Sequence, residues 1–135
     1  MAAIVTRRTN PASKVTIFER AQKVLAKVEI TGGGRCNVTN SFAAITDMKQ
    51  AYPRGHKLMK RLMKTFRWFE QHGVPLVTQE DECVFPKAQD SHAIINCLVR
   101  QANELGVTIC CRHRLVNIHR MEDGRLKLEF ENGSH

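Results

Sequence analysis

The residues best suited to chemistry fall in one stretch, Ile30 to Asn40, which reads ITGGGRCNVTN. At its centre stand three consecutive glycines, Gly32, Gly33 and Gly34. Each gives up roughly 0.5–1 kcal/mol of backbone entropy relative to alanine in regular structure, so a run of three needs a reason. A plain flexible turn is one reason. The neighbouring residues point to another. Thr31, Asn37, Thr39 and Asn40 offer hydroxyl and amide hydrogen-bonding groups, and Arg35 offers a planar fork of donors that matches phosphate or another planar anion. Without a Cβ, glycine lets backbone N–H groups approach an anionic ligand closely. The stretch reads as a ligand-facing loop.

Two further charged positions belong to the same chemistry. Glu19 ends a compact β-branched run, Lys14 to Glu19. In dinucleotide-binding βαβ units, an acidic residue at the tip of the second strand accepts hydrogen bonds from ribose hydroxyls. A solvated strand-end carboxylate is the plainer alternative. Lys23 and Lys27, just before the glycines, are placed either to neutralise phosphate or simply to face solvent. The five cysteines, Cys36, Cys83, Cys97, Cys110 and Cys111, form no CxxC pair and no zinc-ligand spacing, so no metal site is expected. They read as free thiols of a reducing compartment. Cys36, inside the loop, reads as a packed and inert thiol rather than a redox group. His56, His72, His92, His113 and His119 have no nearby Ser/Asp or Cys arrangement of a nucleophilic triad.

The elements that must position these residues form an alternating α/β pattern. Met1 to Val5 is too short to predict a helix, and Asn10-Pro11 marks a turn. Lys14 to Glu19 predicts a buried strand, and Ala21 to Glu29 a short connection. From Arg54 to His72, Leu58, Met59, Leu62, Met63, Phe66 and Phe69 recur at spacings of three and four, predicting an amphipathic helix. Its other face carries Lys57, Lys60, Arg61, Lys64 and Arg67; Gly73 and Pro75 stop it. An acidic turn, Gln79 to Glu82, precedes Cys83 to Pro86. Asp90 and Ser91 are N-cap candidates for a helix carrying Ile94, Ile95, Leu98, Val99, Ala102 and Leu105 and ending at Gly106. Strands over Val107 to Cys111 and His113 to Met121, a turn at Glu122-Asp123-Gly124 and a last strand through Leu126, Leu128 and Phe130 complete the chain.

The 135 residues make one domain's worth of chain, with 42% hydrophobic and 25% charged residues, ordinary for a soluble globular protein. No apolar run approaches the roughly 20 residues that span a bilayer, and the start lacks a signal-peptide pattern. A cytoplasmic protein with no membrane association is expected. A net charge of +8 suits nucleic acid, an anionic surface or a polyanionic cofactor, and charge alone does not choose among them.

The segment TGGGRCNVTN, following a strand that ends in an acidic residue, resembles the signature of the HI0933-like flavoproteins, NAD(P)/FAD-dependent oxidoreductases. The resemblance continues through FRWFEQHGVPLVTQEDECVFPKAQDSHAIINCLVRQANELGV, residues Phe66 to Val107, in order and spacing. It implies part of a Rossmann-like FAD-binding domain over residues 1–135, with a parallel sheet, helices and a C-terminal β-hairpin. It implies FAD as cofactor, NAD(P)H as reductant and a small-molecule substrate, with nucleic acid disfavoured. By the same resemblance Glu19 would take the ribose and Lys27 the phosphate. Thr31, Gly32, Gly33, Gly34, Arg35, Cys36 and Asn37 would line the flavin or its pyrophosphate, and Val116 would offer its backbone to the adenine. The chain departs from the pattern where relatives carry Arg at the position of Ala26, and Gly-Arg at Glu82-Cys83. Met1 to Ile4 resembles the end of the family's first helix, so the first strand and its G-x-G-x-x-G turn would precede residue 1, and a further domain would follow residue 135. On that expectation the chain is a fragment truncated at both ends. By itself it would hold FAD weakly or not at all, and its exposed strand edges would invite self-association. The alternatives are a non-catalytic basic binding module centred on Lys57 to Arg67, and an inactive truncated gene product.

Overall fold

The computed structural model describes residues 1–57 and 65–134. The chain divides into two compact units, Met1–Ala26 with Leu98–His135, and Lys27–Cys97.

The first unit is built on a parallel strand pair. β1 (Thr16–Phe18) lies beside β5 (Thr108–Cys110), with Thr16 opposite Thr108 and Phe18 opposite Cys110. The ladder extends past β1, since the Glu19 N–H donates to the Cys110 carbonyl at 2.9 Å. Helix α1 (Ala2–Thr9) corrects the expectation of a stub too short for a helix. Its existence depends on distant partners rather than local propensity. Ile4 is 2% exposed, and the Arg7 Nε donates to the Leu105 carbonyl at 2.7 Å. That carbonyl lies just beyond the last turn of helix α5 (His92–Glu104), where a cation offsets the partial negative charge of the helix end. The same helix stops as its glycine predicts. Gly106 takes φ +68°, and the Val107 N–H returns to the Ala102 carbonyl at 2.9 Å.

An antiparallel hairpin, β6 (Leu115–Arg120) and β7 (Leu126–Phe130), ends this unit. Gly124 supplies φ +82° at its turn. Ile118 faces Leu128 and Arg120 faces Leu126 across the ladder, while Asn117 faces Glu129 and His119 faces Lys127. One face is thus richer in apolar residues, yet Ile118 and Leu126 remain 53% and 61% exposed. Phe130 is buried, its ring centroid 4.5 Å from that of Phe18.

The second unit holds a sheet that the sequence pattern did not announce. β2 (Thr39–Asn40), β4 (Cys83–Pro86) and β3 (Leu76–Thr78) pair antiparallel in the order β2-β4-β3. Gln79 to Glu82, acidic at Glu80, Asp81 and Glu82, make the turn between β3 and β4, as expected. Val84 and Phe85 are buried at 1% and 3% exposure and give this unit its core, with Phe69, Val74, Ile94 and Cys97. Residues 21–25 form the predicted connection, but its second half is helix α2 (Ala26–Ile30), which leads directly into the glycines. A single turn, α3 (Met48–Ala51), starts where the Asp47 carboxylate accepts from the Lys49 N–H at 2.8 Å. Of the helix predicted from Arg54 to His72, α4 (Thr65–Gln71) is observed and Phe69 is buried. Leu58, Met59, Leu62 and Met63, with Lys60, Arg61 and Lys64, lie outside the described residues.

Candidate functional site

The three glycines turn the chain through left-handed space. Thr31–Gly34 forms a tight helical turn in which φ is +56° at Gly32, +66° at Gly33 and +84° at Gly34. An L-residue costs roughly 1–2 kcal/mol in each such position, which explains why the sequence spends three glycines in a row. Their surroundings differ. A Cβ at Gly32 would lie 2.8 Å from the Asn37 backbone nitrogen and 2.9 Å from Cε1 of Phe85, so the protein itself fills that space. A Cβ at Gly33 would meet no heavy atom within 4 Å. At Gly34 the nearest is the Glu29 carbonyl oxygen, 3.9 Å away. Gly32 is therefore demanded by packing, while Gly33 leaves its outer side open to a ligand.

The polar residues of the loop are partly committed to holding its shape. The Thr31 hydroxyl donates to the Val28 carbonyl at 2.8 Å, and the Cys36 N–H to the Thr31 carbonyl at 2.9 Å. The Arg35 guanidinium sits over the Phe85 ring, 4.3 Å from its centroid. Its Nε donates to the Gly32 carbonyl at 3.1 Å and its Nη1 to Gln89 Oε1 at 3.3 Å. These contacts fix the plane of the guanidinium in advance of any anion. Asn37 and Lys27 are exposed, Lys27 on α2. Thr39 and Asn40, read as ligand-facing groups, instead form β2, where the Asn40 side chain accepts from the Phe42 N–H at 2.8 Å.

Cys36 is 6% exposed. Burial pushes its thiol up from the ordinary cysteine range, a hydrogen bond with Thr31 partly opposing. A protonated, enclosed thiol is a poor nucleophile at neutral pH. Cys83 is also pushed up, by desolvation and then by the Asp81 carboxylate, against the opposing pull of Asn37 and Arg35. All five cysteines are free.

Backbone strain gathers in this unit. Cys36, Phe42, Glu82 and Gln89 all have φ between +54° and +64°, a conformation that costs a non-glycine residue of order 1–3 kcal/mol. Gln89 leads into the two cap candidates of α5, of which one has a role the sequence did not announce. Asp90 behaves as a cap, its Oδ1 accepting from the His92 N–H at 2.9 Å. That N–H, and then the His92 ring, hold the Asp90 carboxyl below its usual range. Ser91 does something else. Its N–H donates to the Gly34 carbonyl at 2.8 Å and its Oγ to the Glu29 carbonyl at 2.9 Å. The available signal was two adjacent cap-forming residues where a helix start needs only one.

In the first unit, Glu19 stands just past the carboxyl end of β1. Its Oε1 accepts from the Ala21 N–H at 2.8 Å. It lines a cavity of about 130 Å³ whose remaining wall is apolar, including Ile4, Ile17, Val24 and Leu98. Ligands of open α/β sheets bind outside the carboxyl ends of the strands, which is where this residue lies. Val116 is 54% exposed and falls at the register shift between Leu115 and Asn117, without a ladder partner of its own. Such a bulge leaves backbone groups outside the ladder.

Over residues 1–135 the chain matches the family described as the HI0933-like protein Rossmann domain. It belongs to the HI0933-like family. The parallel β1–β5 pair, with α5 leading into β5, and the antiparallel strands are the α/β architecture of that domain. A Rossmann domain is a dinucleotide-binding fold, so the HI0933-like chain is assigned to a dinucleotide-binding, oxidoreductase-type family. Among its described residues no helix is long and apolar enough to cross a membrane.

Proposed function

We propose that this HI0933-like chain binds FAD through its TGGGRCN loop and serves a flavoprotein oxidoreductase that takes electrons from NAD(P)H. The observation that carries the reading is Gly33. It is left-handed, open on its Cβ side, and two residues from a guanidinium already held by a carbonyl, an amide and an aromatic ring. A Cβ there would fill the space that a planar cofactor or its pyrophosphate needs, so the loop fits such a group. Bound flavin supplies the hydride and electron transfer.

The chain's own residues bind and orient. Arg35 presents a preset fork of donors to an anionic oxygen, and Lys27 adds a positive charge from α2. The exposed Asn37 offers its amide to the cofactor, and Thr31, Gly32 and Cys36 hold the loop's shape around Gly33 and Gly34. Cys36 does so as a buried thiol and takes no part in electron transfer. Glu19, at the end of β1 and in the wall of its cavity, accepts hydrogen bonds from the ribose hydroxyls. Val116 offers backbone to the adenine from its bulge.

The test is a titration of FAD with the full chain, read by flavin fluorescence, alongside Glu19→Ala. Losing charge-assisted hydrogen bonds worth about 1.5–3 kcal/mol weakens binding roughly tenfold or more. Far-ultraviolet circular dichroism should show the variant still folded. Equal affinity for the two proteins would remove Glu19 from the site.

A further inference from the structure

We infer that Ser91 is the positioning residue of the glycine loop: its hydroxyl and its backbone N–H tie Glu29, just before the loop, to Gly34, at its middle, and so set the left-handed shape of the glycines between. The inference rests on the FAD reading above and adds to it a residue outside the TGGGRCN stretch. Ser91 is 1% exposed, so neither bond competes with water. The hydroxyl reaches the Glu29 carbonyl at 2.9 Å, one of the last carbonyls of α2, which has no acceptor role left inside a five-residue helix. The N–H reaches the Gly34 carbonyl at 2.8 Å. Between those two anchors lie Ile30, Thr31, Gly32 and Gly33.

Glycine is the residue most in need of such a tie. Three in succession populate left- and right-handed space about equally, so sequence alone leaves the loop an ensemble. A ligand selecting one member of that ensemble binds more weakly by the fraction populated. The neighbouring Gln89 adds a second tie by accepting from Arg35 Nη1 at 3.3 Å. Ser91 touches no ligand in this scheme and acts only through the loop.

The experiment compares the full chain with Ser91→Ala, Ser91→Thr and Val107→Ala. Val107 is a buried apolar residue of the first unit and serves as a control for general destabilisation. Two readouts are taken: amide hydrogen exchange at Gly32 to Asn37 without ligand, and FAD affinity by flavin fluorescence. The inference expects Ser91→Ala to speed exchange across the loop and to weaken FAD about tenfold, the loss of one buried hydrogen bond. Ser91→Thr, which keeps the hydroxyl, restores both. Unchanged loop exchange in Ser91→Ala overturns the inference. So does a loop effect of equal size in Val107→Ala, or a Ser91→Thr variant no better than alanine when both fold. If the unsubstituted chain binds FAD too weakly to measure, loop exchange alone decides the tie.

Discussion

Gly32 and Gly33 share one conformation but not one environment, and alanine at each position separates the two demands. The left-handed φ values, +56° and +66°, impose the same conformational cost, about 1–2 kcal/mol for either substitution. Gly32→Ala adds a collision. Its methyl would stand 2.8 Å from the Asn37 nitrogen, a main-chain atom, and 2.9 Å from Cε1 of Phe85, a ring only 3% exposed. Neither neighbour has room to retreat, and overpacking of this kind costs about 1–3 kcal/mol more. Gly32→Ala should therefore lose about 2–5 kcal/mol and Gly33→Ala about 1–2 kcal/mol. Urea denaturation followed by circular dichroism measures both, with the shift carried by the midpoint rather than the slope. FAD affinity should discriminate in another way. Gly33→Ala, the better-folded variant, still places a methyl in the open space and should bind FAD more weakly than the unsubstituted chain. Equal stability losses in the two variants would refute the packing argument, and unimpaired FAD binding by Gly33→Ala would refute the open-face argument.

The remaining expectations use other probes. Cys36 should react with iodoacetamide at pH 7 only after unfolding, because burial keeps its thiol protonated and enclosed; mass spectrometry of the labelled native protein checks this, and rapid native labelling contradicts it. Asp90→Ala should lower the melting temperature at pH 7. The folded-state pKa of Asp90 is depressed, so its contribution is full above the unfolded value of about 3.9 and is lost as pH falls through the folded value. Melting curves of the two proteins should accordingly converge in acid. Leu126→Lys, at a 61% exposed hairpin position, should leave stability within about 0.5 kcal/mol. It should also reduce any self-association seen by light scattering, and an unaltered oligomer would exclude that face as the contact.

Much of the framework could be read from residue pattern because the pattern was local. The β-branched run ending at Glu19 holds a strand over Thr16–Phe18, although none of the three is buried as expected, Gly106 ends its helix, and Glu122-Asp123-Gly124 turns a hairpin. The glycine run likewise announced unusual backbone. Features that depend on distant partners were not legible. Helix α1 exists because Ile4 is buried and Arg7 reaches Leu105, nearly a hundred residues along the chain. The β2-β4-β3 sheet joins strands of two to four residues, too short to show periodicity. Side-chain roles inside the loop divided on the same principle. The need for glycine could be read at all three positions, but only the placement of Phe85 and Asn37 separates Gly32 from Gly33. Thr39 and Asn40 offered the same donors whether they faced a ligand or a strand partner. Ser91 looked like a cap because its true acceptors, Glu29 and Gly34, are far away in sequence.

The central claim is that FAD is held by the Thr31–Asn37 loop, and residue-resolved nuclear magnetic resonance tests it most directly. A 15N-labelled full chain of 15.4 kDa would be titrated with FAD, so that even weak binding registers at individual amides. Saturable shifts are expected at Gly33, Gly34, Arg35 and Asn37, with a second set at Glu19 and Ala21. Shifts confined to Lys57 to Arg67 and abolished by modest salt would instead mark unspecific attraction of an anion to a basic segment, and would contradict the claim.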